Sequence, residues 1–245
     1  MNRTDRIARR FDAAASSYGE ASAPQKRIAD ALAEDIIAAN LPPGARVLEL
    51  GCGDGWLTRR LAPVLQPAEW IASDIAPAML TAVRAADIHP AVRTQRLDAA
   101  APDIEPGFDL VCSSLALQWM VDPRTTLEHW RRLVRPGGLL AFSTLLDGTF
   151  AEWRAALAQT GVPEPEPILP SGRDLALWAG AEPHELTIVE QYRDGLDFLR
   201  VARRAGIDAS LNRALDAGRM RRAINIFQST GARLTYRAAL IVMRA

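Results

Sequence analysis

The segment Arg46-Val-Leu-Glu-Leu-Gly-Cys-Gly-Asp-Gly-Trp56 decides the fold of this chain. It begins with a short apolar run of the kind that a buried parallel strand needs. Three alternating glycines follow, and a helical pattern of apolar residues then runs from Trp56 to Leu65. The segment therefore predicts a strand, a glycine turn and a helix, which is the unit from which parallel α/β sheets are built.

The glycine turn is suited to a ligand. Glycine has no Cβ, so its backbone adopts unusual dihedral angles and lets a bound molecule approach closely, while the next helix presents free N–H groups to the same place. The spacing is GxGxG, which differs from the GxGxxG of dinucleotide folds and from the phosphate-binding GxxxxGK[ST] loop. A tight turn without a ligand is the alternative, but glycines at the carboxyl end of a strand are where open α/β sheets bind ligands.

Three acidic residues accompany the turn. Glu49 precedes it, Asp74 ends the next apolar run, and Asp98 follows a third run. An acid in the position of Asp74 can accept hydrogen bonds from the hydroxyl groups of a ribose. This set suits a cationic ligand that contains adenosine and carries no phosphate.

These glycines and acids resemble those of the class I methyltransferases that use S-adenosylmethionine, over roughly residues 46–145. The resemblance implies a Rossmann-like α/β fold with a seven-stranded, mostly parallel sheet, an antiparallel last strand, N-terminal helices and a helical lid insertion. The residues expected to bind the cofactor are Tyr18, Gln25, Glu49, Gly51, Cys52, Gly53, Gly55, Asp74, Ile75, Met79, Asp98, Ala99 and Ser113.

Composition narrows the remaining possibilities. The chain has 245 residues, 49% of them hydrophobic, and a formal net charge of zero, so no overall field attracts nucleic acid or a membrane. Its two cysteines belong to no CxxC or Cys/His cluster, and no metal site is expected. The N-terminus has no apolar signal region and no run is long enough to span a membrane, so the expected location is the cytoplasm.

We expect a single domain, 1–245, with four parts. These are an N-terminal helical cover (1–44), a cofactor-binding core (45–146), a lid or substrate insertion (147–200) and a segment that completes the sheet (201–245). The predicted strands lie near 46–50, 69–73, 92–96, 108–113, 138–145, 185–191 and 234–243. The predicted helices lie within 5–39, interrupted near 16–25, and near 55–65, 77–86, 123–134, 195–205 and 215–227, with Ser22 and Asp122 as N-caps.

Outside the core, four segments resemble the malonyl-acyl-carrier-protein O-methyltransferases of biotin synthesis. They are Arg10–Tyr18 with Gln25, Ser113–Trp119, Phe142–Phe150 and Leu234–Tyr236. A Lys-Gly-Ile-Gly-like segment of that family is matched only loosely by Ala202–Ile207. The resemblance implies methylation of the free carboxylate of a malonyl thioester, carried by an acyl-carrier protein or by coenzyme A, to give the ester that primes pimeloyl and biotin synthesis.

This chemistry predicts binding residues but no catalytic residue. A carboxylic acid with a pKa near 4 is already ionised at neutral pH, so no base is nominated, and His89, His129 and His184 are expected in a loop, on a helix face and in a loop. Gln118 and Trp119 are candidates for orienting the substrate, although Trp119 could equally anchor its loop and Tyr18 could simply pack between helices.

An anionic substrate also calls for a cationic clamp. Arg154, Arg203 and Arg204 are the candidates, and the arginines at 219, 221 and 222 could steer an acidic carrier protein. A solvated helix face explains any one of the three clamp candidates better, and the other three arginines could simply belong to an exposed helix. Two other functions stay open: a small-acid carboxyl methyltransferase, such as one acting on trans-aconitate, and a protein that binds S-adenosylmethionine without turnover. Nucleic-acid methylation is disfavoured because no Asn/Asp-Pro-Pro-Tyr/Phe motif and no basic stripe with aromatic residues is present.

Overall fold

A computed structural model describes residues 3–161, 169–207 and 217–244. The strands are β1 (Arg46–Leu50), β2 (Glu69–Asp74), β3 (Val92–Arg96), β4 (Phe108–Ser114), β5 (Val134–Leu145), β6 (His184–Gln191) and β7 (Arg233–Arg244). They form one seven-stranded sheet in the order β3-β2-β1-β4-β5-β7-β6. β7 runs antiparallel to both of its neighbours, and the pairings among β1 to β5 are parallel. The predicted fold class is confirmed.

Helices cover both faces of this sheet. They are α1 (Arg3–Ala21), α2 (Ala23–Ala38), α3 (Trp56–Leu65), α4 (Pro77–Ala85), α5 (Pro123–Leu133), α6 (Ala151–Ala158), α7 (Gly172–Ala179), α8 (Gly195–Arg204) and α9 (Ala217–Ser229). A short 3-10 helix, Leu117–Trp119, follows β4. Residues 215 and 216 of the last predicted helix, and most of the proline-rich segment of the insertion, lie outside the described residues.

The alternation of side chains along β1 divides the core in two. Val47 packs with the buried residues of α2, α3 and α4, whereas Leu48 and Leu50 pack with those of α5 and α7. Since successive side chains of a strand point to opposite faces, Glu49 lies on the same face as Val47. This places its carboxylate under α3, beside the glycine turn.

Several predicted details are corrected. The break between the first two helices is a single residue, Ser22, because the helical surface of α1 stays packed as far as the buried Ala21. Ser22 occupies the N-cap position but makes no capping hydrogen bond, whereas Asp122 accepts the expected one from Thr125. His184 is the first residue of β6 and not part of a loop.

The insertion 147–200 contributes to a separate hydrophobic core. Trp153 of α6 is 1% exposed and contacts Phe198 and Phe227 edge to face, with ring centroids 5.2 and 5.7 Å away. β6, which also belongs to this segment, pairs with β7. Action of the insertion as a lid stays a prediction, as do the boundaries of the four parts.

Candidate functional site

The glycine turn lies at the carboxyl end of β1, and its three glycines have different tasks. Gly51 and Gly53 have φ angles of +71° and +55° and line the cavity above the sheet. A Cβ on Gly51 would lie 2.7 Å from the Cβ of Ala116. Gly55, with φ of +81°, also allows close packing, because its Cβ would lie 3.0 Å from Val83 of α4. Gly51 and Gly53 therefore face the cavity, while Gly51 and Gly55 also let the loop after β4 and helix α4 approach the turn closely.

Asp74 ends β2 beside this cradle. Its Oδ2 accepts a hydrogen bond from the backbone N–H of Gly53 (3.0 Å) and its Oδ1 accepts one from that of Ala76 (2.8 Å). Burial raises the pKa of this carboxyl group, and the two backbone hydrogen bonds act in the opposite direction. Asp74 therefore stiffens the turn and also presents a carboxylate to the cavity.

Glu49 lies on the other side of the turn. Its Oε2 accepts hydrogen bonds from the hydroxyl group of Thr58 (2.5 Å) and from the indole N–H of Trp70 (3.1 Å). Burial raises the pKa of Glu49 to about 7, against the opposing effect of these two donors. A buried carboxyl group of this kind gains from a cationic ligand, since a nearby positive charge favours the ionised form.

Three adjoining cavities make up the site. The central cavity is lined by Gly51, Gly53, Asp74, Ile75, Asp98 and Ala99, with others. The glutamate cavity is lined by Gln25, Glu49, Cys52 and Asp54, with others. The aromatic cavity is lined by Phe11, Gln118, Trp119, Phe150 and Tyr236, with others. Tyr18 and Leu115 line all three, so the cavities meet at these two residues.

Three predicted cofactor residues, Gly55, Met79 and Ser113, lie away from these walls. Met79 is fully buried in α4. Ser113 is also fully buried, because its hydroxyl donates to the carbonyl oxygen of Leu50 across the sheet (2.8 Å). The next residue, Ser114, lines the central and glutamate cavities instead. Contact of Ser113 with the cofactor stays a prediction, and Ser114 is the serine of this strand end that reaches the cavity walls.

Helix α1 roofs the central cavity. Phe11 and Tyr18, two turns apart on one face of the helix, contact each other, and Phe11 also meets Trp119 edge to face at 5.5 Å. Asp12 Oδ1 accepts a hydrogen bond from the backbone N–H of Ala78 (2.9 Å) in the first turn of α4. This contact ties α1 to the helix that follows Asp74.

The loop residues Gln118 and Trp119 lie in the 3-10 helix after β4 and line the aromatic cavity, while their contact with a substrate stays a prediction. The Gln118 amide donates to the carbonyl oxygen of Leu115 (2.6 Å) and accepts from Thr144 (3.3 Å). Trp119 lines both the central and the aromatic cavity. The loop after β4 is therefore both fixed by the hydrogen bonds of Gln118 and part of the cavity walls through Trp119.

The predicted cationic clamp is not assembled in these walls. None of Arg154, Arg203 and Arg204 is among the described residues that line the three cavities. The Arg204 guanidinium pairs with Glu20 on α1, and Arg203 is exposed on α8. For Arg203 and Arg204 the physical reason is their orientation, since the side of α8 that faces the core carries Phe198 and Ala202. A clamp by these arginines stays a prediction.

The histidines also lie elsewhere. His129 contacts the carbonyl oxygen of Ala100 through Nδ1 (2.8 Å), and His184 contacts Asp35 (3.0 Å). Neither these nor His89 lines a cavity in the described part of the chain. Residues 3–161, 169–207 and 217–244 hold no group of three or more potential metal ligands. Over the same ranges, no helix is long and apolar enough to cross a membrane.

Sequence reasoning missed some wall residues that carried a usable signal. Phe11 stands seven residues before Tyr18, which puts both on one helical face. Tyr236 lies in a strand with alternating burial, and its side chain reaches the aromatic cavity. Both residues belong to the segments that carry the family resemblance, Arg10–Tyr18 and Leu234–Tyr236.

Comparisons with known proteins agree with this geometry. A family profile described as a methyltransferase domain matches residues 48–140. The biotin biosynthesis bifunctional protein BioCD of Bordetella avium is 41% identical over 95% of this chain, and the chain spans about half of that protein (51%). The malonyl-[acyl-carrier protein] O-methyltransferase of Magnetococcus marinus is 34% identical over 91% of this chain and 85% of its own length.

The fold also matches solved structures. A candidate methyltransferase from Bacillus halodurans superposes with a TM-score of 0.63 over 87% of this chain and 97% of the other. The two sequences are 16% identical, so this likeness concerns the fold alone.

Proposed function

We propose that this chain, which belongs to the malonyl-[acyl-carrier protein] O-methyltransferase family, transfers a methyl group from S-adenosylmethionine to the free carboxylate of a malonyl thioester. The carrier is an acyl-carrier protein or coenzyme A, and the methyl ester would prime pimeloyl and biotin synthesis. The observation that carries the proposal is the junction of an acid-lined glycine cradle with a separate aromatic cavity at Tyr18 and Leu115.

The described residues fit S-adenosylmethionine. Gly51 and Gly53 leave an open cradle, and Asp74 and Asp98 offer carboxylates to hydroxyl groups in the central cavity. Glu49, in the adjoining glutamate cavity, offers a carboxylate to a positive charge. When bound, S-adenosylmethionine supplies an electrophilic methyl group on a sulfonium. No lysine or Ser/Thr of a phosphate-binding loop follows the turn, which agrees with a ligand without phosphate.

The protein's own task is positioning. The acceptor carboxylate is ionised at neutral pH and is the nucleophile, so no side chain has to remove a proton. Alignment of reacting atoms in a closed site can supply a large share of the rate. Helix α1, held by Asp12 over the central cavity, and the ring of Trp119 supply part of the wall that such a closed site needs.

The carrier surface is a second part of the proposal. Arg221 and Arg222 are exposed on α9, and α9 packs beside α8 with the exposed Arg203. An acidic carrier protein would be steered by such a group, with an effect mainly on association and on its salt dependence.

The experiment is methyl transfer from labelled S-adenosylmethionine to malonyl-acyl-carrier protein, with malonyl-coenzyme A and trans-aconitate in parallel. Labelling of a malonyl thioester that is reversed by ester hydrolysis supports the proposal. Labelling of trans-aconitate alone would assign the chain to the small-acid enzymes. Tight cofactor binding without labelling of any of the three would favour a protein that binds the cofactor without turnover.

A further inference from the structure

The aromatic cavity carries an unusual combination of groups. Its polar side chains are Tyr18, Gln25, Gln118 and Tyr236, and no charged residue is among the described residues that line it. The rest of the described lining is apolar. An anionic acceptor in this cavity would therefore meet hydroxyl and amide groups and no cation of the described lining.

Tyr236 is arranged as a donor toward this cavity. Its hydroxyl lies 3.1 Å from that of Tyr192, which does not line the cavity. When Tyr192 donates to Tyr236, the proton of Tyr236 is free for a ligand. Burial raises the pKa of both phenols, so both stay protonated at neutral pH.

Gln25 provides a second group. Its Oε1 is buried and has no hydrogen-bond partner in the described structure, and such an unsatisfied polar group carries a cost that a ligand can remove. Rotation of the amide by half a turn exchanges its oxygen and nitrogen, so the same position can present N–H donors. Gln118, fixed by Leu115 and Thr144, keeps one N–H unused.

We propose that the aromatic cavity holds the free carboxylate of the malonyl group through the neutral donors Tyr236 and Gln25, so that these two residues select the acceptor. This inference rests on the proposed function and names the residues behind it. The acceptor oxygen forms a bond to the methyl carbon while the carbon–sulfur bond breaks and its electron pair goes to sulfur. No proton moves, and an anion and a cation become two neutral groups.

This charge change explains why neutral donors suit the site. The negative charge of the carboxylate decreases in the transition state, so a strong cation would stabilise the bound ground state more than the transition state. Neutral donors also hold the oxygen atoms, but they favour the bound ground state over the transition state less strongly than a cation does. They also reject an acyl chain that ends in methyl, because buried polar groups would then be left without partners. A small polyanionic acid such as trans-aconitate would find no cation among the described residues of this cavity to balance its additional charges.

The test uses the full chain with Tyr236→Phe and Gln25→Met, which remove one hydrogen-bonding group each. We expect each to lower kcat/KM for malonyl-acyl-carrier protein by about tenfold or more, the scale of a lost hydrogen bond to a charged group. Gln25→Glu should lower it further, because like charges repel. The dissociation constant of S-adenosylmethionine, measured by calorimetry, should stay at the wild-type value in Tyr236→Phe, because Tyr236 lines the aromatic cavity and neither of the other two. Gln25 also lines the glutamate cavity, so its variants are compared through kcat/KM at saturating S-adenosylmethionine.

Matched controls separate the outcomes. Gln159→Met and Gln159→Glu make the same changes at an exposed glutamine of the insertion and should leave kcat/KM unchanged. Unchanged kcat/KM in folded Tyr236→Phe and Gln25→Met, with a loss in Arg154→Gln or Arg203→Gln, would overturn the inference in favour of a cationic clamp. If wild-type protein labels no malonyl thioester, the proposed function fails and this inference fails with it. Gln25→Met keeps the test informative should Tyr236→Phe not fold.

Discussion

At the scale of single residues, two buried carboxyl groups flank the glycine turn and are held in different ways. Asp74 is fixed by backbone N–H groups, whereas Glu49 is fixed by the side chains of Thr58 and Trp70. Each therefore has a geometry set before any ligand binds. In both groups burial raises the pKa, so a cationic ligand is more favourable here than at an exposed acid.

Asp74→Ala should weaken cofactor binding by roughly 1.5–3 kcal/mol, the value typical of hydrogen bonds to a charged group. Calorimetry with S-adenosylmethionine measures this difference. Asp109→Ala is the control, since Asp109 binds Arg46 and Arg135 at the amino edge of the sheet. Equal affinities of Asp74→Ala and wild type would show that this carboxylate does not hold the ligand.

Glu49 predicts a dependence of stability on pH. Its pKa is raised from 4.5 to about 7 in the folded protein, so the folded state binds more protons than the unfolded chain in this interval. The Glu49 contribution to the free energy of unfolding therefore falls as pH rises from about 4.5 to about 7 and is level above it. Denaturant unfolding at about pH 5 and about pH 8 should show a smaller pH effect in Glu49→Gln than in wild type. The same slope in both proteins would contradict the assignment.

At the scale of elements, the site depends on how β1, α1 and the loop after β4 approach one another. Gly51 illustrates the requirement, because a side chain there would meet Ala116 in that loop. Gly137 has a similar φ angle, +76°, but nothing lies within 4 Å of a Cβ built on it. A comparison of alanine substitutions at these two glycines therefore distinguishes the cost of backbone strain from the cost of steric crowding.

Gly51→Ala should destabilise the protein more than Gly137→Ala. Both replacements force alanine into the left-handed region, at about 1–2 kcal/mol, and Gly51→Ala adds displacement of the loop after β4. Denaturant unfolding gives the two free energies, and calorimetry should show weaker cofactor binding for Gly51→Ala alone. Equal losses of stability would mean that the loop moves aside without cost.

At the scale of the whole molecule, the sheet is supported by three separate groups of buried residues. Two of them cover the faces of the parallel strands, and the third joins α6, α8 and α9 to β6 and β7. The aromatic cavity lies between the third group and helix α1, since Phe150 and Tyr236 belong to that group. The insertion therefore supports the acceptor side of the site directly.

Trp153→Ala tests this support. Loss of a fully buried tryptophan should cost about 3–5 kcal/mol, and acceptor turnover should fall more than cofactor affinity, because the central cavity is walled by other elements. Thermal unfolding measures the loss of stability, methyl-transfer kinetics measure acceptor turnover, and calorimetry measures the affinity for S-adenosylmethionine. Trp56→Ala, at a partly buried tryptophan beside the glutamate cavity, should show the reverse order of effects. A removal of residues 148–180 would take Trp153 with it, so it cannot test lid motion alone.

Much of this protein was determined by local signals in the sequence. Glycine spacing, acids at strand ends and apolar periodicity predicted the parallel core and the positions of Glu49, Asp74 and Asp98, whereas the antiparallel β7 was expected from the family resemblance. These features depend on neighbours within a few residues, through backbone dihedral angles and the alternation of side chains. The substrate residues were less predictable, because the arginines have a suitable charge but no local signal shows which side of their helix faces the cavity.

Only the tertiary structure decided which residues share a wall. Ser113 and Ser114 are adjacent and chemically identical, yet one bonds across the sheet to Leu50 and the other faces the cavity. Tyr18 and Tyr236 come from opposite ends of the chain and meet at the aromatic cavity. Their meeting depends on how α1 packs over the sheet and how β7 pairs with β5, and such long-range packing leaves no periodic or spacing signal in either segment.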